Sequence, residues 1–384
     1  MKEKENNQDI AVDLFCGAGG ASCGIEAAGF ELAAAVDHNT DALDTHADNC
    51  GGYTVAHDLS EVDTSILPER ARSPDYLHGS PPCKGFSTAK GNRSLDDPRN
   101  SLVFDFVDWV ETLNPKVVTM ENVVGMTNIS TRFMDKVVSA FRDAGFGVKW
   151  QILNAADYGV AQTRRRVITV GIRDDLNMPP RWFPRPTHAE TPTTTLDGLQ
   201  LDEWISVKDA IGDLGMVGPH RQQGDNNGTN ACVWRQPTEP SHTVKGQGSH
   251  TIRADGGTVQ NHVAQNHTEQ ARQRFTDILA GRRKANGLSG RVAELGRPSP
   301  TITADETAAV PPIRPPEQSE EPRRLTVREC ARLQSFPDWF VFSGTKTSQY
   351  AQVGNAVPPR LQYHISKNLR QKILCEDAYP PKNQ

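Results

Sequence analysis

Three groups of residues in this 384-residue chain have types and spacings that could carry chemistry. In Ser80-Pro-Pro-Cys, two prolines fix the backbone immediately before Cys83. A cysteine on a stiffened turn is a candidate nucleophile once it is ionised. Met120-Glu-Asn-Val offers the carboxyl of Glu121 for proton transfer. A thiol and a carboxyl facing one crevice suit attack on an electrophilic ring that must be protonated as it is attacked. The third group is the turn Phe15-Cys-Gly-Ala-Gly-Gly, whose small residues let the backbone approach a ligand at a helix N-terminus. Near it, Asp37 could accept from both hydroxyls of a ribose, and Asp58 from an adenine amino group.

Each group alone has a plainer reading: a tight turn, a rigid turn with an incidental cysteine, a surface carboxylate. The glycine turn also fails the dinucleotide pattern, because Ser22 stands where a third Gly or Ala belongs. Gln162-Thr-Arg-Arg-Arg adds cations just before a strand, and by themselves these could be a surface salt-bridge cluster.

The elements that must position these groups follow from periodicity. Apolar runs at 10–15, 31–37, 75–79, 116–120, 148–153 and 167–172 read as strands. Between them lie helical segments, from the glycine turn through 29, then at 41–49, 101–113 and 131–144. At 101–113 the residues Leu102, Phe106, Trp109 and Leu113 recur at helical spacing. This alternation predicts an α/β, Rossmann-like domain: a mostly parallel sheet covered by helices on both faces. Open sheets of this kind do their chemistry beyond the carboxyl ends of the strands, where Cys83 and Glu121 both fall.

After Asp174 the composition shifts towards Pro, Gly, Thr, Asn and Gln. Ser206 and Asp209 form a capping pair for one helix reaching 214; Thr326 and Glu329 do the same for another, ending at Gln334 before Pro337. Segments 239–245 and 297–303 faintly echo each other as short strands entered by Pro-rich turns. The expected organisation is a large domain over 9–178, a smaller irregular domain over 179–335, and a return to the large domain over 336–384.

Net charge is −5, yet residues 271–297 hold seven basic residues (Arg272, Arg274, Arg282, Arg283, Lys284, Arg291, Arg297) against Asp277 and Glu294. A local +5 suits phosphate as well as it suits a solvated surface. The seven cysteines are dispersed and lack the short paired spacing of a zinc site, so no metal is expected. No apolar run is long enough to span a bilayer, and the polar start lacks a secretory core. The expected location is cytoplasmic, with no membrane partner.

Taken in order, the motifs resemble those of the cytosine carbon-5 DNA methyltransferases. Asp13-Leu-Phe-Cys-Gly-Ala-Gly-Gly is similar to the family's cofactor turn, Pro81-Pro82-Cys83 to its nucleophile loop and Glu121-Asn122-Val123 to its acid motif. Gln162, Arg164 and Arg166 fit its QxRxR motif. Arg324-Leu-Thr-Val-Arg-Glu-Cys-Ala-Arg-Leu-Gln-Ser-Phe-Pro fits the segment supporting the recognition domain, and Gln352-Val-Gly-Asn-Ala-Val-Pro-Pro the closing cofactor motif. The resemblance covers 10–174 and 322–365; the segment between is where the family varies.

The resemblance implies a sequence-specific enzyme, acting as a monomer of restriction-modification type, with a companion endonuclease that does not bind it. It would transfer methyl from S-adenosylmethionine to carbon-5 of a cytosine flipped out of double-stranded DNA. It assigns catalysis to Cys83, Glu121, Arg164 and Arg166. S-adenosylmethionine would be held by Phe15, Gly17, Gly19, Gly20, Asp37, His38, Asp58, Leu59, Pro82, Leu102, Asn355 and Val357. DNA would be met by Lys84, Ser87, Gln162 and Arg164, with Lys84 standing where relatives commonly carry Gln. Three other classes compete: a tRNA-directed relative, a catalytically silent DNA-binding regulator and a nicotinamide-dependent oxidoreductase. The first is disfavoured by the long basic insert and the missing Cys-Phe-Thr signature, the second by the intact motifs. The third explains only the glycine turn.

Overall fold

In strand β1, Ile10–Leu14, every residue but Ile10 is buried, and all but Asp13 are apolar. A strand covered on both faces needs such a run. The computed structural model describes residues 8–82, 101–128, 131–214, 250–252, 258–261, 270, 273, 275–277, 292–303, 312–313 and 323–374. After β1 come α1 (Gly20–Ala27), β2 (Glu31–Asp37), α2 (Thr40–Asn49), β3 (Tyr53–Ala56) and β4 (Tyr76–Gly79). Then follow α3 (Leu102–Leu113), β5 (Val117–Val123), α4 (Gly125–Asn128), α5 (Thr131–Asp143), β6 (Phe146–Asn154) and β7 (Arg165–Arg173).

These strands make one seven-stranded sheet in the order β3-β2-β1-β4-β5-β7-β6. Pairing is parallel from β3 to β5, while β7 runs antiparallel to both neighbours. The link from β6 to β7 is shorter than the dozen or more residues that a parallel crossover requires, so the chain returns antiparallel. The predicted Rossmann-like α/β class, with its mostly parallel sheet, holds.

Helices cover both faces. On one, α3 buries Val103, Phe106, Val107, Trp109, Val110 and Leu113 against Val12, Leu14, Leu77, Val118 and Met120. Burying six such side chains contributes on the order of 10 kcal/mol, about what ordering a twelve-residue helix costs in backbone entropy. The helix therefore stands by packing. Gly79 makes the close fit possible, since a Cβ there would collide with the Phe106 ring. On the other face, α1 packs on a late helix, Pro359–Leu369, whose Pro359 carbonyl leaves no room for a Cβ at Gly24. That late helix is tied down by Gln362, which donates to the Tyr76 hydroxyl at 2.8 Å, and Tyr76 in turn pairs with Thr119 at 2.6 Å.

The chain divides into two compact units: Met1–Asn154, Arg165–Pro186 and Val357–Gln384 form one, Ala155–Arg164 and Thr187–Ala356 the other. Within the second unit both capping boxes form. Ser206 opens α6 (Val207–Ile211), and Thr326 opens α7 (Val327–Leu333). Buried Arg328 of α7 donates to the carbonyls of Gln260 at 2.9 Å and Pro337 at 3.0 Å. Segment 239–245 lies outside the described residues, whereas Ser299–Pro300 pairs in parallel with Gln162–Thr163. Most of the basic stretch at 271–297 also lies outside them.

Candidate active site

The glycine turn leaves β1 through left-handed backbone at Phe15 (φ 56°), Gly17 (φ 52°) and Gly19 (φ 95°). The two glycines are needed for different reasons. At Gly19 a Cβ would lie 2.7 Å from Cys50 Sγ, while at Gly17 it would meet nothing within 4 Å. Open space beside Gly17 is what a ligand cradle requires. Asp37, at the end of β2, braces the turn: its carboxylate accepts from Gly17 N at 2.8 Å and Asn39 N at 2.9 Å. Each oxygen keeps a lone pair for a further donor.

His38 stands beside it, Nδ1 3.3 Å from Asp37 Oδ1, with a largely exposed ring. Asp58 is exposed, and Ser60, whose N–H it accepts at 3.0 Å, holds its carboxyl below the ordinary range. Leu59 is buried, as are Phe15 and Gly20 at the start of α1, and Leu102 is half-buried. All of these belong to the first unit.

Sequence reasoning missed the layer behind the turn. Ser22 donates to Asp13 Oδ2 at 2.6 Å and lies 2.9 Å from His46 Nε2, all three buried. Desolvation pushes Asp13 up to about 7, with nearby Asp37 adding to the rise, and pulls His46 down to about 4. The cysteines here are poor nucleophiles: burial raises the thiols of Cys16 and Cys50 well above normal, and that of Cys23 to about 12. Cys330 is buried in α7. Only the alternation of polar and apolar residues in α1 and α2 could have hinted at the Asp13–Ser22–His46 chain.

The predicted acid and cation meet at the end of β5. Arg166 Nε lies 2.7 Å from Glu121 Oε1, with side chains 12% and 9% exposed. Strand register sets this up, pairing Val123 with Arg166 across β5 and β7. Burial pulls the Arg166 guanidinium below its usual value, and the Glu121 carboxylate opposes that pull. Next to Glu121, Asn122 donates from Nδ2 to the Pro81 carbonyl at 3.0 Å. Ser80 donates from Oγ to the Phe15 carbonyl at 2.9 Å. Pro82 is half-buried. Cys83, Lys84 and Ser87 lie outside the described residues. In the sequence Asn122 is only one member of a motif; its bond to Pro81 gives it a role of its own.

Arg164 and Gln162, expected at the base or the DNA, are both buried in the second unit. Arg164 is 1% exposed, and its guanidinium donates to Ile302 O at 2.9 Å and to Gly354 O and Ala356 O at 3.0 Å. A fork satisfied by three backbone carbonyls holds the second unit together. Gln162 is fully buried beside Ser299. Alternation along a strand explains the outcome, since residues two apart share a face only while the strand continues, and here it breaks between Thr163 and Arg165. Of the closing motif, Asn355 is exposed at the end of its helix, Lys346–Asn355, and Val357 is buried in the first unit.

Sheet order, glycine turn and the ion pair at the end of β5 define the class: a Rossmann-like domain with a ligand cradle and a buried acid–cation pair at the carboxyl edge of its sheet. Residues 11–371 match the C-5 cytosine-specific DNA methylases, and the chain belongs to that family. It is 36% identical to the type II methyltransferase M.XorII of Xanthomonas oryzae pv. oryzae, over 94% of this chain and 86% of that protein. It is 32% identical to M.DdeI of Desulfomicrobium norvegicum, over 93% and 88%. Among solved structures, a DNA modification methyltransferase from an E. coli prophage shares the fold with a TM-score of 0.67 at 24% identity, covering 94% of this chain and 98% of that one. Dnmt2 of S. pombe does so at 0.60 and 15%, covering 94% and 98%. The protein is therefore an enzyme, a DNA cytosine-5 methyltransferase of restriction-modification type, in a class that uses S-adenosylmethionine and acts on double-stranded DNA. No helix among the described residues is long and apolar enough to cross a membrane.

Proposed function

We propose that this enzyme methylates carbon-5 of a cytosine flipped out of the duplex, through a covalent adduct on Cys83, within a particular DNA sequence. The observation that carries the reading is the Glu121–Arg166 pair beside a Pro81 carbonyl held by Asn122. It supports a carboxyl and a cation acting together with the thiol that follows Pro81 and Pro82 in the chain.

In this mechanism the target base leaves the stack, because its carbon-6 is shielded there. The Cys83 thiolate adds to carbon-6 while Glu121 delivers a proton to ring nitrogen N3, recovered when the adduct breaks down, and accepts a hydrogen bond from the exocyclic amine. Electron density then moves to carbon-5. Arg166 orients Glu121, holds the base's carbonyl oxygen and favours the thiolate. S-adenosylmethionine, when bound, supplies the methyl group. Loss of the carbon-5 proton breaks the carbon–sulfur bond and frees Cys83.

The turn suits S-adenosylmethionine: Gly17 leaves open space, Asp37 keeps lone pairs for ribose hydroxyls, and Phe15, Leu59 and Leu102 offer apolar surface. Asp58, His38, Gly19, Gly20, Pro82, Asn355 and Val357 complete the set. Lys84 and Ser87 would meet DNA, and 179–335 would supply recognition between the catalytic parts at 9–178 and 336–384. The enzyme would act as a cytoplasmic monomer, with a separate cognate endonuclease.

The test is transfer of labelled methyl to duplex DNA and to tRNA, with Cys83→Ser alongside. Methylation of DNA by the wild type and none by Cys83→Ser is expected. Activity on tRNA alone, or an active Cys83→Ser, overturns the proposal. Mapping modified cytosines in a host free of cytosine methylation gives the sequence, and random placement would refute specificity.

A further inference from the structure

At the outer edge of the sheet, away from the cofactor turn, β6 borders a groove of about 910 Å³. Its walls are α5, the exposed side of β6, and the Pro-rich segment 180–186. Four exposed cations line it: Arg142 from α5, Lys149 from β6, and Arg181 and Arg185 from the Pro-rich segment. One lining carboxylate, Asp135, opposes them. Trp150 is 41% exposed there, an unusual place for a large ring. Trp182 is buried and stacks under Lys149, whose Nζ sits 4.9 Å from the ring centroid.

Covering a sheet edge would explain the strap but not its charge. Apolar or mixed residues would cover the edge equally well. The positive potential also reaches a neighbour: Lys372, which donates to Arg181 O at 3.4 Å, is held below its ordinary value by burial and by the charges of Arg181 and Arg185. Register places the groove relative to the chemistry. Gln151 of β6 stands opposite Ile168 of β7, which stands opposite Glu121 of β5. The groove is thus level with Glu121 and two strand spacings, about 10 Å, away.

We propose that this groove holds the phosphate backbone of the DNA flanking the target, outside the sequence being recognised. Arg142, Arg181 and Arg185 pair with phosphates, and Trp150 packs on a sugar. Clustered cations and an exposed aromatic around one groove at the sheet edge suit a polyanion with apolar rings. The proposal rests on the enzyme acting on duplex DNA.

The test compares a duplex of about 12 base pairs with one of about 40, both centred on the recognition sequence, for wild type and Arg181→Gln/Arg185→Gln. The wild type must methylate the long duplex; if it methylates neither, the reading of the enzyme fails and not the groove. The variant is expected to methylate the short duplex at the wild-type rate but to bind the long one more weakly. Losing two phosphate contacts should flatten the salt dependence, so that from 50 to 200 mM salt the wild type loses about tenfold more affinity for the long duplex than the variant does. Trp150→Ala should weaken the long duplex alone. Equal losses on both lengths, or none on either, refute the proposal. A loss of thermal stability with unchanged length dependence shows a strap that merely caps the sheet, and refutes it too.

Discussion

The ion pair between Glu121 and Arg166 invites a perturbation whose structural and catalytic consequences separate. At 2.7 Å, the attraction is about 6 kcal/mol at an effective dielectric of about 20. Removing each ion from water costs several kcal/mol, so the intact pair adds little net stability. Breaking it is another matter. Glu121→Gln leaves a guanidinium that is 12% exposed without its counter-charge, and Arg166→Met strands a carboxylate that is 9% exposed. Each single variant should lose about 3–5 kcal/mol of stability. The double variant carries neither charge and should recover at least about 2 kcal/mol of what additivity predicts.

Activity should behave differently. If Glu121 and Arg166 touch the base in the transition state, each single variant loses about 10²–10³-fold in the chemical step. The double variant regains none of it. Denaturant midpoints and single-turnover methyl transfer, measured on the same three variants, read the two quantities separately. A double variant whose rate recovers along with its stability would show that the pair is scaffolding, and the catalytic reading would fall.

The remaining predictions concern the supports of the site. Asn122→Ala frees the Pro81 carbonyl and should lower the single-turnover rate by about 10²-fold, as loose positioning does, with S-adenosylmethionine affinity unchanged in calorimetry. Gly17→Ala should cost about 1–2 kcal/mol from backbone conformation alone, and Gly19→Ala more, since its methyl also meets Cys50 and His46; equal melting temperatures would contradict this. Asp13 is raised from 3.8 to about 7 in the folded protein, so its burial costs stability progressively as pH climbs through that window. Asp13→Asn lacks that titration. Relative to wild type it should gain on the order of 4 kcal/mol between about pH 4 and pH 7, read from denaturation at each pH. Arg164→Met strands three buried carbonyls and should cost at least about 3 kcal/mol by denaturation; a fully stable variant would show the fork to be dispensable.

Much of this architecture is legible in sequence because local pattern and global role coincide. The helix at Leu102–Leu113 announces itself by spacing, and the same residues that set the spacing fill the core. The capping pairs at Ser206 and Thr326 are read from two residues each and form as expected. What periodicity cannot show is the direction of a strand: nothing in 167–172 says that β7 runs against its neighbours. Nor can a motif show which of its members faces the site. Arg164 and Arg166 look alike in QxRxR, yet one holds three carbonyls and the other Glu121. The difference arises from partners far away in sequence, Ile302 and Gly354 for the first, and those no local pattern names.

The supports of the site belong to the first unit and are bound to one another rather than each to its own element. Ser80, at the start of the nucleophile loop, donates to the carbonyl of Phe15 in the cofactor turn. Asn122, beside the acid, donates to the carbonyl of Pro81 on that same loop. Asp37 closes the other side by accepting from Gly17. Three motifs that are separate in the chain are thus cross-linked through side chain to backbone bonds, each worth about 0.5–1.5 kcal/mol. Such bonds decide geometry more than stability. A bond of this size holds the Pro81 carbonyl in place. That is what an enzyme needs if Cys83 must approach a base that enters only after DNA has bound. If Cys83 is the nucleophile, the two prolines before it have a mechanical meaning, since they leave few backbone rotations between the fixed Pro81 and the thiol.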